Sequence, residues 1–228
     1  METIHRVWFG GELQEVHAHC TATGEGRADA VQRVWCGPQL RAVFAYDEVA
    51  CYLLDLLRAW PCGAFASFAS DYFRLALLGL WGGWYMDTDV LINRLPGREE
   101  MGVREGEAAV LLVSHCNPSM DWPNSAITYA TQEAREALRE VLPMTARRAR
   151  ALLREPARLR RINLARLGIG PLWWHTHLFP ALREAGVRCG VLPTSLAVHH
   201  IPGPQTAPLC HIGTGLWHHA NAAGGRPS

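Results

Sequence analysis

Apolar and polar positions along the chain fall into runs that switch between a two-residue period and a helical one. Ile4-His5-Arg6-Val7-Trp8-Phe9 alternates and ends at Gly10-Gly11, which predicts a first strand and its turn. Between Gln32 and Phe44 apolar and Arg positions mix, and Cys36-Gly37-Pro38 predicts a break between a helix and a short strand. Glu48 to Ala59 has apolar residues at Val49, Tyr52, Leu53, Leu56 and Leu57, a helical stripe that Pro61 ends. Phe65 to Leu78 predicts a second apolar helix, stopped by Gly79 and Gly82-Gly83. Trp84-Tyr85-Met86 then predicts a short buried strand running into Asp87-Thr88-Asp89. Further on, Ala108 to Ser114 predicts an apolar strand and Thr131 to Leu142 an amphipathic helix. Pro171 to Ala185 predicts an apolar helix rich in Trp and His, and Val187 to Val198 one or two strands. Pro202 to Pro208 reads as a loop. Strands alternating with helices predict an α/β domain with a mainly parallel central sheet flanked by helices. That domain is expected over residues 1–220, with an Arg-rich helical insertion at about 145–166 and a flexible tail at 221–228.

A chain of 228 residues is long enough to bury a core without metal or disulfides. Hydrophobic residues at 49% and charged residues at 19% exclude a disordered chain, a coiled coil and a collagen-like repeat. The net charge of +1 supplies no global field toward nucleic acid or membrane. All 22 basic residues are Arg, so chemistry that needs a Schiff-base or P-loop lysine is excluded. The 7 Cys are odd in number and form no CxxC pair, which points to reduced thiols in a cytoplasmic protein. Met1 to Gly11 has no long apolar run and is not read as a signal peptide. Ala64 to Met86 is the most apolar stretch, but Asp71 and Arg74 within it argue against a membrane span.

The strongest chemical signal is Asp87-Thr88-Asp89. Two carboxylates flanking one residue at the end of a buried strand can share a divalent cation, and hard oxygen ligands suit Mg²⁺ or Mn²⁺. Asp71 and Arg74, spaced i and i+3 on one helical face, can meet. The paired histidines at His17/His19, His175/His177, His199/His200 and His218/His219 lack zinc-site spacing and are read as surface or satisfied core residues.

The run Ala69-Ser70-Asp71-Tyr72-Phe73-Arg74, followed by Leu80-Trp81-Gly82-Gly83-Trp84-Tyr85-Met86-Asp87-Thr88-Asp89-Val90, resembles a known family signature. The family is the glycosyltransferases with a DXD sugar-binding region. It includes the yeast initiating α-1,6-mannosyltransferase and, more distantly, the glucosyltransferase domains of the large clostridial toxins. Ile4 to Gly11 resembles the first strand of the same family, Asn124-Ser125-Ala126 a downstream donor-site segment, and Gly170-Pro171 and His211 to Trp217 its tail. The tail departs from the family's G-S-W, since Gly215-Leu216-Trp217 stands there.

The resemblance implies a GT-A-type fold, a nucleotide-sugar donor (UDP- or GDP-linked) and retention of anomeric configuration. It implies Mn²⁺ or Mg²⁺ at Asp87 and Asp89, with His211 as third ligand. Trp8 then stacks on the base or packs in the core. Ser70, Asp71 and Arg74 meet the sugar and diphosphate. Tyr85 touches ribose or only packs. Asp89, Asn124 and Asp121 are the candidate catalytic residues, and front-face attack and a covalent intermediate both stay open. Trp217 is expected to cover the donor within a closing lid of residues 211–217, whose Gly213 and Gly215 permit backbone rearrangement.

Thr145 to Arg166 holds eight Arg against one Glu. These Arg residues form either the solvated side of helices or a dock for a phosphate-bearing partner. The acceptor is not readable: glycan, lipid-linked glycan, protein or nucleic acid. The segment Arg147 to Arg166 also allows peripheral contact with an anionic surface. The competing reading is a catalytically weak or dead transferase scaffold that binds nucleic acid or an anionic surface through this segment.

Overall fold

The structure is a computed structural model that describes residues 1–10, 12–59, 63–114, 123–154, 168–199 and 207–212. Strand β1 (Glu2–Val7) is followed by α1 (Glu15–Ala22), β2 (Ala30–Trp35), α2 (Gly37–Val43), α3 (Glu48–Ala59) and α4 (Gly63–Trp81). Strands β3 (Gly83–Met86), β4 (Val90–Ile92), β5 (Ala109–Val113) and β6 (Asn124–Ala130) come next. Helix α5 (Arg135–Leu153) precedes α6 (Pro171–Trp173), a π-helical run Trp174–Leu178 and α7 (Phe179–Glu184). Strands β7 (Arg188–Val191), β8 (Ala197–His199) and β9 (Leu209–His211) close the described order.

The main sheet has six strands in the order β2-β1-β3-β6-β5-β7. Every neighbouring pair is parallel except the two made by β6, so the predicted mainly parallel sheet is observed with one reversed strand. Side chains of β3 alternate between its two faces. Tyr85 joins the core under α3, α4 and α5, and Trp84 and Met86 join the core on the other face. A second sheet, β4-β9-β8, lies outside this one.

Two glycines fix the entry into β3. Gly82 and Gly83 both have left-handed backbone, φ 64° and 82°. A Cβ on Gly83 would lie 2.4 Å from the Thr3 carbonyl oxygen, so only glycine lets β3 lie against β1 here. The turn is also held from β1. His5 accepts the Trp35 indole N–H at Nδ1 (3.1 Å) and its Nε2–H donates to the Gly82 carbonyl (3.2 Å). Burial keeps this imidazole neutral, lowering its pKa to about 4.

Several elements differ from their sequence prediction for identifiable reasons. Around Gly37-Pro38 the strand comes first and the helix second, with Pro38 in the first turn of α2. Gly79 does not stop α4, which continues to Trp81. A Cβ at 79 would come within 3.3 Å of Arg139 Cγ, so this glycine serves close packing against α5. Pro143 does not end the amphipathic helix, which runs on to Leu153. Buried Leu138, Val141, Thr145, Ala149 and Leu153 form one stripe across the proline, and that burial outweighs the lost backbone bond. The first part of the Arg-rich segment is thus the polar side of α5, with Arg147 and Arg150 exposed. Residues 155–166 lie outside the described residues, as does the tail 221–228.

Candidate active site

Strands β1, β3 and β5 point their carboxyl ends to one side of the sheet, and the reversed β6 begins there. Crevices at the carboxyl ends of strands are where open α/β sheets bind ligands. Trp8 directly follows β1, Asp87 directly follows β3, and Asn124 and Ser125 open β6. Pairing of β5 with β6 shifts register between Leu112 and Val113, so Ser125, Ala126 and Ile127 bow out of the ladder. The displaced Ala126 carbonyl accepts the Asp87 N–H at 2.8 Å. Asn124 Oδ1 accepts the Ala126 N–H at 2.7 Å, which fixes the bend locally.

Arg74 reaches this end of the sheet from α4. It donates to Asp71 Oδ1 (2.6 Å), to Asp87 Oδ1 (3.0 Å) and to the Ser125 hydroxyl. Its guanidinium lies 4.5 Å from the Tyr85 ring centroid. Tyr85 is therefore fully buried beneath Arg74, and the Ser70 side chain lies at its hydroxyl. Burial disfavours the Arg74 charge, but Asp87 and Asp71 outweigh it and raise the pKa above the ordinary arginine value. One guanidinium serving two carboxylates leaves a net negative charge. The deeper carboxylate carries the strain: burial, reinforced by Asp87, lifts Asp71 to about 6 against the pull of Arg74. The remaining oxygen of Asp71 points at Gly170, where a Cβ would lie only 2.7 Å from Oδ2.

The second carboxylate of the pair is held from the small sheet. Val90 of β4 pairs with His211 of β9, and the Ile212 N–H donates to the Asp89 carbonyl at 3.0 Å. His211 Nε2 thereby lies 3.1 Å from Asp89 Oδ1. Ligand atoms of Asp87, Asp89 and His211 all fall within 4.8 Å of one another. Two carboxylate oxygens and one imidazole nitrogen form a donor set that suits a Mn²⁺ or Mg²⁺ ion completed by other oxygens. The prediction that His211 waits in a mobile lid is corrected: His211 is a strand residue already beside Asp89. The rest of that segment, including Trp217, lies outside the described residues, as does Asp121.

Two residues central to this arrangement were not singled out in the sequence. Arg6, fully buried on β1, donates to the carbonyls of Asp87 (2.7 Å), Val90 (3.0 Å) and Cys20 (3.2 Å) and to Gln32 Oε1 (2.8 Å). One guanidinium fork thus fixes both ends of the Asp87-Thr88-Asp89 turn. Burial lowers its pKa to about 10, still charged at neutral pH. Arg6→Lys keeps the charge but not the fork and is expected to cost about 1–3 kcal/mol of stability, read from urea unfolding. A midpoint equal to that of the native protein would show that the fork does not hold the turn. His17, read as a surface or satisfied core histidine, is buried. Its Nδ1 bonds the Thr88 hydroxyl at 2.9 Å, while Nε2 has no partner among the described residues. Trp8 packs on the same imidazole, ring centroids 5.0 Å apart, which sets the indole at the rim beside the Asp87-Thr88-Asp89 turn.

The His211 imidazole has a raised pKa. Burial lowers it, but the hydrogen bond to Asp89 and the charges of Asp89 and Asp87 prevail. A protonated imidazole cannot ligate, so a metal ion taken up here would have to displace that proton. Mn²⁺ affinity, read by calorimetry, is therefore expected to fall as pH drops through the raised His211 value, by up to about tenfold per unit. His211→Gln should flatten that limb, and an unchanged slope would remove His211 from the ligand set.

No family model matches the chain, and no curated protein sequence matches it. The solved structures similar to this chain include two glycosyltransferases. One, described as a glycosyltransferase involved in the glycosylation of the major capsid of PBCV-1, has a TM-score of 0.54 at 14% identity. It covers 96% of this chain, and 97% of its own length is matched. The other, the PaToxG glycosyltransferase, has a TM-score of 0.49 at 13% identity, covering 81% of this chain and 73% of its own. The likeness to the first is one of fold, and it agrees with the GT-A-type architecture: the chain has a glycosyltransferase fold. No helix among the described residues is long and apolar enough to cross a membrane.

Proposed function

We propose that the protein is a metal-dependent glycosyltransferase that moves a hexose from a nucleotide-sugar donor to a glycan or glycoconjugate acceptor, with retention of configuration. The observation that carries this reading is the convergence of Asp87, Asp89 and His211 from separate sheets at the carboxyl ends of β1 and β3. Asp87, Asp89 and His211 would hold Mn²⁺ or Mg²⁺, and such an ion would supply charge neutralisation for a diphosphate leaving group. Trp8 offers the base an aromatic face at the rim. Arg74 holds Asp71 and Asp87 in register, and the Asp71 carboxylate beside Gly170 accepts hydrogen bonds from sugar hydroxyls. Asn124, at the start of β6 beside the end of β3, is assigned the role of orienting the donor.

The test is a panel of UDP- and GDP-sugars with Mn²⁺, scored by thermal stabilisation and by release of nucleoside diphosphate. One donor should raise the melting temperature only when metal is present, since a ligand confined to the folded state stabilises it. A panel with no stabilisation and no turnover would overturn the proposal. The competing reading, a weak or dead transferase scaffold that binds nucleic acid or an anionic surface through the Arg-rich segment, predicts no release of nucleoside diphosphate from any donor of the panel.

A further inference from the structure

Charge is spread unevenly along this chain. Thr145 to Arg166 carries eight Arg and one Glu, so a total of only +1 leaves the remaining residues net negative. The second half of α5 is the described part of that segment. Arg150 binds Glu48 at the start of α3, with Nη2 and Oε2 2.8 Å apart. Arg147 and Arg154, three positions before it and four after, share its side of the helix by the helical period. Both are exposed, and neither is paired with an acid among the described residues. Beyond them the sequence keeps the same sign, with Arg158, Arg160, Arg161 and Arg166 against Glu155.

The corner between α2 and α3 joins these arginines through Glu48, and it is apolar. Val43 is 40% exposed, Tyr52 46% and Tyr46 completely. Tyr52 follows Glu48 by one turn on the same side of α3. The corner is also fixed. Asp47 Oδ1 accepts the N–H groups of Val49 (2.9 Å) and Ala50 (3.0 Å), and its Oδ2 accepts the Tyr72 hydroxyl proton at 2.6 Å. Tyr46, directly before this anchor, is thus presented to solvent by a rigid turn. Near its start α5 packs Arg139 on Gly79, and further on the Arg150 charge acts on the Tyr72 hydroxyl. Helix α5 therefore runs back along α4, and its arginines come level with the Asp71 end of that helix.

We propose that Arg147, Arg150 and Arg154, together with Val43, Tyr46 and Tyr52, form a docking surface for an anionic lipid bilayer. Each arginine held near such a surface contributes roughly fivefold in affinity. Charge alone gives a weak, salt-sensitive contact, and stable attachment takes a second signal. The corner supplies it: tyrosine rings favour the headgroup level, where one end is apolar and the other wet. Nucleic acid would answer the same charge but offers nothing to the aliphatic Val43. The docking goes beyond the glycosyl-transfer reading and does not depend on it.

The full chain is floated with phosphatidylcholine vesicles and with vesicles in which about 30% of that lipid is replaced by phosphatidylserine, and is titrated with polyuridine RNA at the same salt. Only the anionic vesicles should capture it, and less so as salt rises, because exposed charges are screened. Arg147→Gln combined with Arg154→Gln should weaken capture by about tenfold or more. Tyr46→Ser should weaken it by about threefold and leave the salt dependence as it was. All three positions are exposed, so the variants should keep the thermal midpoint of the native protein. No capture by either vesicle, equal capture by both, RNA bound more tightly than the anionic vesicles, or undiminished capture of either variant overturns the proposal. Nucleotide release in the donor panel is a separate readout, so failure of docking and failure of the transferase reading are told apart.

Discussion

Arg74→Met is expected to destabilise the protein by about 3–5 kcal/mol, the usual cost of removing one partner from a buried charge cluster. The side chain of Arg74 is 4% exposed and that of Asp71 9%. Deleting the guanidinium strands Asp71, unpairs Asp87 and opens a void over Tyr85 at once. A native domain has only about 5–15 kcal/mol in total, so the variant should stand near the edge of folding. The loss should depend on pH, and the sign follows from Asp71. Its folded value, about 6, lies above the unfolded one, so its contribution is present at low pH and is lost as pH rises through that value. Without Arg74 the folded value climbs further, so the variant should suffer more at pH 8 than at pH 5. Asp71→Asn added to Arg74→Met should restore part of the stability at pH 8, giving a coupling well outside additivity. Urea unfolding of the four proteins closes the cycle. A loss under 1 kcal/mol, or no recovery in the double variant, would contradict the cluster described here.

The parts of this site that could be read from sequence are those whose partners are close along the chain. Asp71 and Arg74 are three residues apart, and the helical period alone puts them together. Gly82-Gly83 marks the turn because two glycines with positive φ lie between an apolar helix and an apolar strand. Asp87 and Asp89 stand out because carboxylates directly follow a core strand. Arg6 carried no such mark: it alternates with apolar neighbours as any outward-facing residue of β1 would. Only the return of Asp87 and Val90, more than 80 positions later, turns that side of the strand inward. Helix α1 escaped notice for a related reason. It buries His17, Cys20 and Thr21 rather than an aliphatic stripe, because the Asp87-Thr88-Asp89 turn beneath it is polar.

Strand β6 was hidden by its own beginning. Asn124 follows a Pro, and the register shift against β5 breaks the alternation over Ser125, Ala126 and Ile127. The same irregularity gives Arg74 the Ser125 hydroxyl and Asp87 the Ala126 carbonyl. The geometry of the candidate site thus blurred the pattern that would have announced it. His211, one of 11 histidines, was marked only by the family resemblance; nothing in its spacing tied it to Asp89, and its pairing opposite Val90 is what places it there.

Asp89→Asn should lower metal-dependent nucleotide-sugar hydrolysis by about 100-fold or more while leaving the fold intact. Loss of a residue that merely supports a ligand commonly costs 10–100-fold in affinity or activity, and Asp89 is proposed as a ligand itself. The change is isosteric, and what anchors residue 89 is mostly backbone: the Ile212 bond to its carbonyl and the pairing of Val90 with His211. Thermal midpoints should therefore move little. Asp87→Asn would be a poorer test, because it also breaks the contact with Arg74 and mixes stability with ligation. The neutral amide at 89 removes one of the charges that raise the His211 pKa, so that imidazole should titrate lower in the variant, visible by NMR. Asp71→Asn supplies the contrast: it removes a carboxylate outside the ligand triad and should spare Mn²⁺ binding while weakening the intact donor. If Asp89→Asn still hydrolyses the donor within about threefold of the native rate, or binds Mn²⁺ as tightly, the carboxylate next to His211 is holding the two sheets together and nothing more.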